Sequence, residues 1–404
     1  MNGIDFNDSL NKQQLTAVNC DEGNKLVLAG AGSGKTRVLT YRVAKLIKDF
    51  NVRPSDILAL TFTNKASREM KERIESLLRI SSQGLWFGTF HGICRRILKI
   101  HWKEAELSER FTILDSQDQL RLVKRIIKTN NLDEKLYDAK SIQSFINRKK
   151  DNGTRSDQTS EKDDEVYILV YKEYESILKQ TFSVDFADLI LKTYELLLKH
   201  ENILSYYVKR FKHIMVDEFQ DTNLLQFKLL KLLNNNTGSM YAVGDDDQSI
   251  YGWRGALSKN IKNFTDQFID VEIFKLEQNY RSTDKILKVA NSLITHNKNR
   301  LGKELWTNSS RGEQVKIYEA YNNDEESSFI VDKIKMLVRD GYKKSEVAIL
   351  YRNNFLSRRL EEELNGRGIP YIIYGGFRFF ERAEIKDMIA YLRIVVNPDD
   401  DAAF

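Results

Sequence analysis

The stretch Ala29-Gly30-Ala31-Gly32-Ser33-Gly34-Lys35-Thr36 sets three glycines at alternate positions before a lysine and a hydroxyl residue. Such glycines let backbone N–H groups curl around phosphate oxygens without Cβ clashes. In that frame Lys35 reaches the β- and γ-phosphates and Thr36 offers its oxygen to Mg²⁺. Ala29 stands where a first glycine is usual. A second centre is the acidic pair Asp217-Glu218. Adjacent acids just past a buried strand are costly unless paired or metal-bound. Beside a phosphate loop, Asp217 would hold Mg²⁺ and Glu218 would activate an attacking water. Alone, the same turn would read as a helix N-terminus.

Two further clusters carry chemistry. Gly244 to Gly255 packs three acids, Gln248, Tyr251, Trp253 and Arg254 into one loop. Gln248 could sense a γ-phosphate or the lytic water. Tyr251 and Trp253 could stack on bases, or form an aromatic turn packed on the domain. Arg281 follows a strand end, where a guanidinium can fork onto phosphate oxygens across a cleft. Phe62 ends another apolar run and suits a core position as well as a base-stacking platform.

The elements that position these residues follow from apolar patterning. Lys25–Ala29 is a short buried strand, and an amphipathic helix runs from Lys35 to about Ile47. Further strands are expected at 56–63, 85–89, 211–216, 239–243 and 271–276, each leading into one of the polar clusters. Ser9 or Asn11 caps an opening helix that carries Gln13 and Gln14. From about 105 to 210 the periodicity is helical throughout, with 151–165 an exposed charged loop. A second α/β run is expected after residue 312, with strands at 315–320, 347–351 and 369–374. The pattern implies an α/β fold: a P-loop NTPase, RecA-like lobe with a helical insertion, then a partial second RecA-like lobe.

Bulk properties narrow the class. The two cysteines, Cys20 and Cys94, have no metal-ligand spacing and do not form a disulfide scaffold pattern. No apolar run approaches the ~18 residues of a membrane span. A net charge of +5 does not announce nucleic acid by itself, so any basic footprint must be local.

Taken in order, these segments resemble the superfamily 1A DNA helicases of the UvrD/Rep/PcrA type. Leu10-Asn11 with Gln14 looks like the Q motif, and 29–36 like motif I. Thr61 to Ala66 looks like motif Ia, Gly88 to His91 like motif Ib, and Val216 to Thr222 like motif II. Gly244 to Gly255 looks like motif III, and Gln278 to Ser282 like motif IV. Leu301 to Trp306 and Gly375 to Phe380 look nearest to the UvrD branch.

The resemblance implies an ATP-dependent 3′→5′ DNA helicase or translocase that uses ATP and Mg²⁺. Gln14 would read adenine, and Arg37 and Tyr280 would sandwich it. Lys35 and Thr36 would bind phosphate and Mg²⁺, with Asp217 the metal acid and Glu218 the base. Gln248 and Arg281 would contact the γ-phosphate. Phe62, Asn64, His91, Tyr251, Trp253, Arg254 and Arg352 would line a single-strand path. Lobe 1A is expected at 1–89 and 213–277, insertion 1B at 90–212, partial lobe 2A at 278–374 and the start of 2B at 375–404. Expected partners are single-stranded DNA, single/double-strand junctions and unspecified repair or replication proteins. A cytoplasmic, nucleoid-associated monomer or weak dimer fits that family.

The sequence stops before counterparts of motifs V and VI, so the chain is expected to be a fragment. Two alternatives stay open: a nucleotide- and DNA-binding module that does not unwind, and a P-loop ATPase without a nucleic-acid role. The aromatic residues at 62, 251 and 253 speak against the second.

Overall fold

The computed structural model describes residues 9–79, 84–160, 162–235, 238–252, 255, 260–297, 300–310, 312–374 and 383–396. The chain divides into two compact units, 1–313 and 314–404.

The first unit is built on a six-stranded sheet. Its strands are β1 (Lys25–Ala29), β2 (Ile57–Thr61), β3 (Trp86–Thr89), β6 (His213–Val216), β7 (Ser239–Gly244) and β8 (Glu272–Leu276). All pair in parallel, in the order β3-β2-β6-β7-β1-β8. A parallel sheet buried on both faces needs near-continuous apolar strands, and β1, β2, β6 and β7 are buried along their whole length.

Alternation sends successive side chains to opposite cores. Val27, Ala59, Met215 and Val243 join a cluster with α1 (Lys12–Asn19), α2 (Lys35–Lys48) and α3 (Asn64–Leu78). Leu26, Leu58, Leu60, Ile214 and Val216 join the opposite cluster. Between β3 and β6 follow α4 (Phe90–Ile100), α5 (Ser116–Thr129), α6 (Ala139–Asp151), α7 (Glu165–Gln180), α8 (Phe186–Lys199) and α9 (Glu201–Arg210). The second cluster continues through α4 into α8 and α9. The helices α10 (Leu224–Asn234), α11 (Asn260–Gln267) and α12 (Asp284–Ile294) complete the unit.

Two expectations for 105–210 need correction. The block is not helical throughout: β4 (Thr112–Leu114) and β5 (Ser183–Asp185) form a two-stranded parallel sheet within it. Three-residue strands are too short to break a helical pattern, and their pairing is set by tertiary contact. Nor is 151–165 simply solvated. Arg155 forks onto Glu195 with two 2.7 Å hydrogen bonds and reaches Asp188 and Glu175. Thr154 accepts from the Tyr171 hydroxyl, and Lys149 pairs with Asp163. Arg155 and Asp163 of this segment are thus paired with opposite charges outside it, and its Thr154 carbonyl takes a distant hydroxyl.

These contacts surround Lys150, which is fully buried with Nζ 2.7 Å from both Asp185 and Asp188. Asp185 also caps α8 and accepts from the Tyr174 hydroxyl. One buried ammonium therefore ties α6 to the β5–α8 junction.

The second unit contains α13 (Asn323–Arg339), α14 (Ser357–Gly366) and α15 (Ala383–Val396). Val331, Ile334, Leu364 and Ile369 form its small core, with Val347, Ile349 and Tyr371 packed against it. Among its described residues no strand ladder forms, contrary to the strands expected at 315–320, 347–351 and 369–374. The alternating pattern is there, but a strand exists only when a neighbour pairs with it. Ile317 and Leu350 are almost fully exposed in these unpaired segments.

Removing one partner of a buried ion cluster leaves charge uncompensated, at a cost of about 3–5 kcal/mol. Lys150→Met should therefore lower unfolding free energy by that order in chemical denaturation, because it strands Asp185 and Asp188. A loss under ~1 kcal/mol would show that the cluster is dispensable.

Candidate active site

The polar clusters converge because each follows the C-terminal end of a parallel strand, where open α/β sheets place ligands. The glycine loop follows β1, Phe62 follows β2, His91 follows β3, Asp217 follows β6, Asp245 follows β7 and Asn279 follows β8.

The loop is shaped for anions. Gly34 caps α2 in the left-handed region at φ 91°, and no side chain caps this helix. By contrast Asn11, Thr63 and Thr89 cap α1, α3 and α4 with their own oxygens. The α2 N–H groups thus face outward with the helix dipole behind them. A Cβ on Gly34 would lie 2.7 Å from the Gln14 amide nitrogen. A Cβ on Gly30 would collide with the Leu305 side chain at 2.2 Å.

Lys35 Nζ is buried and makes no hydrogen bond within the protein. It stands 3.5 Å from Glu218 Oε2 and 4.0 Å from Asp245 Oδ2. Asp217 is buried, its Oδ1 accepting from the Glu218 amide. Burial, and then the Glu218 carboxylate, push its carboxyl up to about 7, with Lys35 opposing. Glu218 sits in the left-handed region at φ 50°. A non-glycine residue there stores roughly 1–3 kcal/mol of strain, a feature that clusters at functional sites.

The residues present fit a divalent cation and a triphosphate. The donor set is the Thr36 hydroxyl with a buried carboxylate that resists carrying its charge alone. The Lys35 ammonium, which makes no hydrogen bond within the protein, and the uncapped α2 terminus suit phosphate oxygens.

Several residues that organise the site escape sequence reasoning. Gln220 donates to Glu218 Oε2 at 2.8 Å and accepts from the Asp245 amide at 2.9 Å. It therefore joins the acidic turn after β6 to the loop after β7. Asp245, 1% exposed, also accepts from the Gln248 amide and pairs with Lys303 at 2.6 Å. Lys303 contacts Asp246 and Asp247 too, while Arg300 forks onto Asp247. Asn279 donates to the Ala31 carbonyl at 2.6 Å, and the Tyr280 amide donates to the Gly32 carbonyl at 2.9 Å. The available signal was polar residues flanking each motif, with nothing local to say what they would meet.

Gln14 is 2% exposed. Its amide donates to the Ser33 carbonyl and accepts from the Asn11 amide. Arg37 is exposed and lies over the Tyr41 ring at 5.8 Å. Arg281 is exposed beside Gly32.

Of the residues expected on a single-strand path, Phe62 and Tyr251 meet, with ring centroids 5.0 Å apart. Asn64 opens α3 and is exposed. His91 is half-buried, its imidazole kept below the ordinary value by burial. Its ring faces the exposed Phe186 edge-on at 5.9 Å, an aromatic residue at the start of α8 that the sequence did not single out. Trp253, Arg254 and the 375–380 loop lie outside the described residues. Arg352, in the second unit, is exposed.

Parallel sheet, glycine loop and the acids at the ends of neighbouring strands together define a P-loop nucleotide-binding protein with a RecA-like lobe. Comparison with known families is more specific. The UvrD/REP helicase N-terminal domain matches residues 10–269, and the UvrD-like helicase C-terminal domain matches 274–404. The chain belongs to the UvrD/REP helicase family. It is 50% identical over 400 residues to DNA helicase II of Escherichia coli K12, covering 98% of this chain and 56% of that protein. Identity to DNA helicase II of Haemophilus influenzae is 50% over 404 residues, covering 98% and 55%. With ATP-dependent DNA helicase PcrA of Bacillus subtilis it is 45% over 400 residues, covering 98% and 54%. The chain spans about half the length of the curated relatives it matches.

A raised carboxyl stabilises the fold below the unfolded-state value and loses that contribution as pH rises through the folded-state value. For Asp217 this window runs from the ordinary carboxyl value of 3.8 up to about 7. In Mg²⁺-free buffer Asp217→Asn should therefore become progressively more stable than the parent from pH 4 to pH 7, by up to ~4 kcal/mol. Thermal melts across that range check it; a gain that does not change with pH would contradict the burial account.

Proposed function

We propose that this chain forms the ATP-binding part of a DNA helicase that translocates 3′→5′ on single-stranded DNA. The observation that carries the reading is one loop with two ends. At Asp245 it meets Lys35 and, through Gln220, Glu218. Six residues on, Tyr251 packs against Phe62 on an aromatic face. A change at the phosphates can therefore reach a base-stacking surface through one short backbone segment.

In this reading Lys35 and the α2 N–H groups bind the β- and γ-phosphates, and Arg37 and Tyr280 flank the adenine near Gln14. Thr36 and Asp217 would hold Mg²⁺, which neutralises charge on the phosphates when bound. Glu218 orients the attacking water and takes its proton. Gln248 and Arg281 respond to the γ-phosphate. Phe62, Asn64, His91, Tyr251, Trp253, Arg254 and Arg352 line the DNA path, and Phe186 joins it through His91. Stacking on π-faces tolerates any base, so sequence preference is slight.

The proposed organisation is lobe 1A at 1–89 and 213–277, insertion 1B at 90–212, a partial lobe 2A at 278–374 and the start of 2B at 375–404. That all six strands of the main sheet come from 25–89 and 213–276 supports the first division. Single/double-strand junctions are the proposed substrate, and repair or replication proteins the partners of a nucleoid-associated monomer or weak dimer. Among the described residues no helix is long and apolar enough to cross a membrane.

Stacking is worth roughly 1–3 kcal/mol per base by alanine substitution. Tyr251→Ala should accordingly lower DNA-stimulated ATP hydrolysis by about tenfold or more and leave ATP binding near normal. Full stimulation would remove the coupling loop from the mechanism. In an unwinding assay, duplex with a 3′ single-stranded tail should be unwound in preference to one with a 5′ tail; the reverse preference would overturn the polarity.

A further inference from the structure

Asn11 uses both ends of its carboxamide. Its Oδ1 accepts from the Gln14 amide at 2.7 Å, the ordinary work of an N-cap residue. Its Nδ2 donates to the Tyr280 hydroxyl at 2.7 Å and to Gln278 Oε1 at 3.1 Å. The Tyr280 hydroxyl in turn donates to Gln278 Oε1 at 3.0 Å. The three polar groups close a small ring of hydrogen bonds that joins the start of α1 to the segment after β8.

Tyr280 is thereby held at two points. Its amide donates to the Gly32 carbonyl in the phosphate loop at 2.9 Å, and its hydroxyl is tied to the α1 cap. Yet Tyr280 is 56% exposed, so the tether at the tip leaves the ring accessible. Gln14, bonded reciprocally to Asn11, donates onward to the Ser33 carbonyl at 2.8 Å. A continuous chain of hydrogen bonds thus runs from the tip of an exposed aromatic ring to the phosphate loop.

We propose that Asn11 is a positioning residue that pins Tyr280 as a preformed stacking face for the base of the bound nucleotide. An exposed tyrosine ordinarily samples several rotamers and loses that freedom when a ligand stacks on it. Here the loss is taken during folding, so binding of the base does not incur it. The tether acts on the base end of the ligand alone, because the phosphate contacts come from Lys35 and the α2 terminus. The inference rests on Tyr280 being a base-contacting residue, as proposed above.

The test measures calorimetric affinities of the 404-residue chain for Mg²⁺-ATP and Mg²⁺-tripolyphosphate. Asn11→Ser keeps a capping oxygen but is too short to reach Tyr280. Tyr280→Phe keeps the ring and removes the hydroxyl. Each should weaken ATP binding by about 2- to 10-fold, and the double variant should be no weaker than either single one. Tripolyphosphate affinity should be unchanged in all of them. Unaltered ATP affinity in both single variants, equal losses for both ligands, or losses that add in the double variant would each overturn the pinning. If Asn11→Ser does not fold, Tyr280→Phe alone decides by the same two ligands. Tyr280→Ala separates the two readings. Unchanged ATP affinity there removes the stacking role itself. A loss there, with none in Asn11→Ser and Tyr280→Phe, keeps the stacking role and removes the pinning.

Discussion

The site depends on one buried ammonium held near two carboxylates without hydrogen bonding to either. Lys35 Nζ lies 3.5 Å from Glu218 and 4.0 Å from Asp245, close enough for attraction and too far for a strong bond. A tight ion pair would have to be broken before phosphate could bind. At these distances the lysine is oriented and its charge partly balanced, while its protons remain available. The acids must then be held back from collapsing onto it. Gln220 restrains Glu218, and Lys303 takes the other oxygen of Asp245.

A second constraint is the arm 300–306. Lys303 and Arg300 bind the three aspartates of the loop after β7, Leu305 covers Gly30, and Trp306 exchanges backbone hydrogen bonds with Glu277 and Asn279. One short segment thereby touches the loops after β1, β7 and β8. Asn279 adds a direct bond from the β8 end to Ala31. The phosphate loop is gripped from the side that also presents Tyr280 and Arg281, so these two residues and the Asp245 turn share their supports.

Much of this was legible in the sequence where the signal was local. A buried strand, a glycine loop and a helix must follow one another closely to bind phosphate, and Lys25–Ala29 matches the expected strand residue for residue. The acids at 217 and 218 stood out because two adjacent charges directly after an apolar strand require a reason. What the sequence withheld was contact between distant segments. Asn279 and Ala31 are 248 residues apart, and no local pattern marks their bond. Gln14 is similar: nothing in the opening helix marks that its side-chain amide donates to the Ser33 carbonyl. The β4–β5 pair was hidden because three residues carry too little periodicity. The expected strands after residue 312 failed for the converse reason, a correct pattern without a pairing partner.

In the proposed coupling, Asp245 is the joint through which the phosphate site and the aromatic face communicate. The most direct measurement is the ratio of ATP hydrolysis with and without oligo-dT in Asp245→Asn. Asparagine keeps the side chain's shape and removes the charge shared by Lys35 and Lys303. The predicted result is a stimulation ratio near one, with ATP still bound. A stimulation ratio equal to that of the unsubstituted protein would contradict the account.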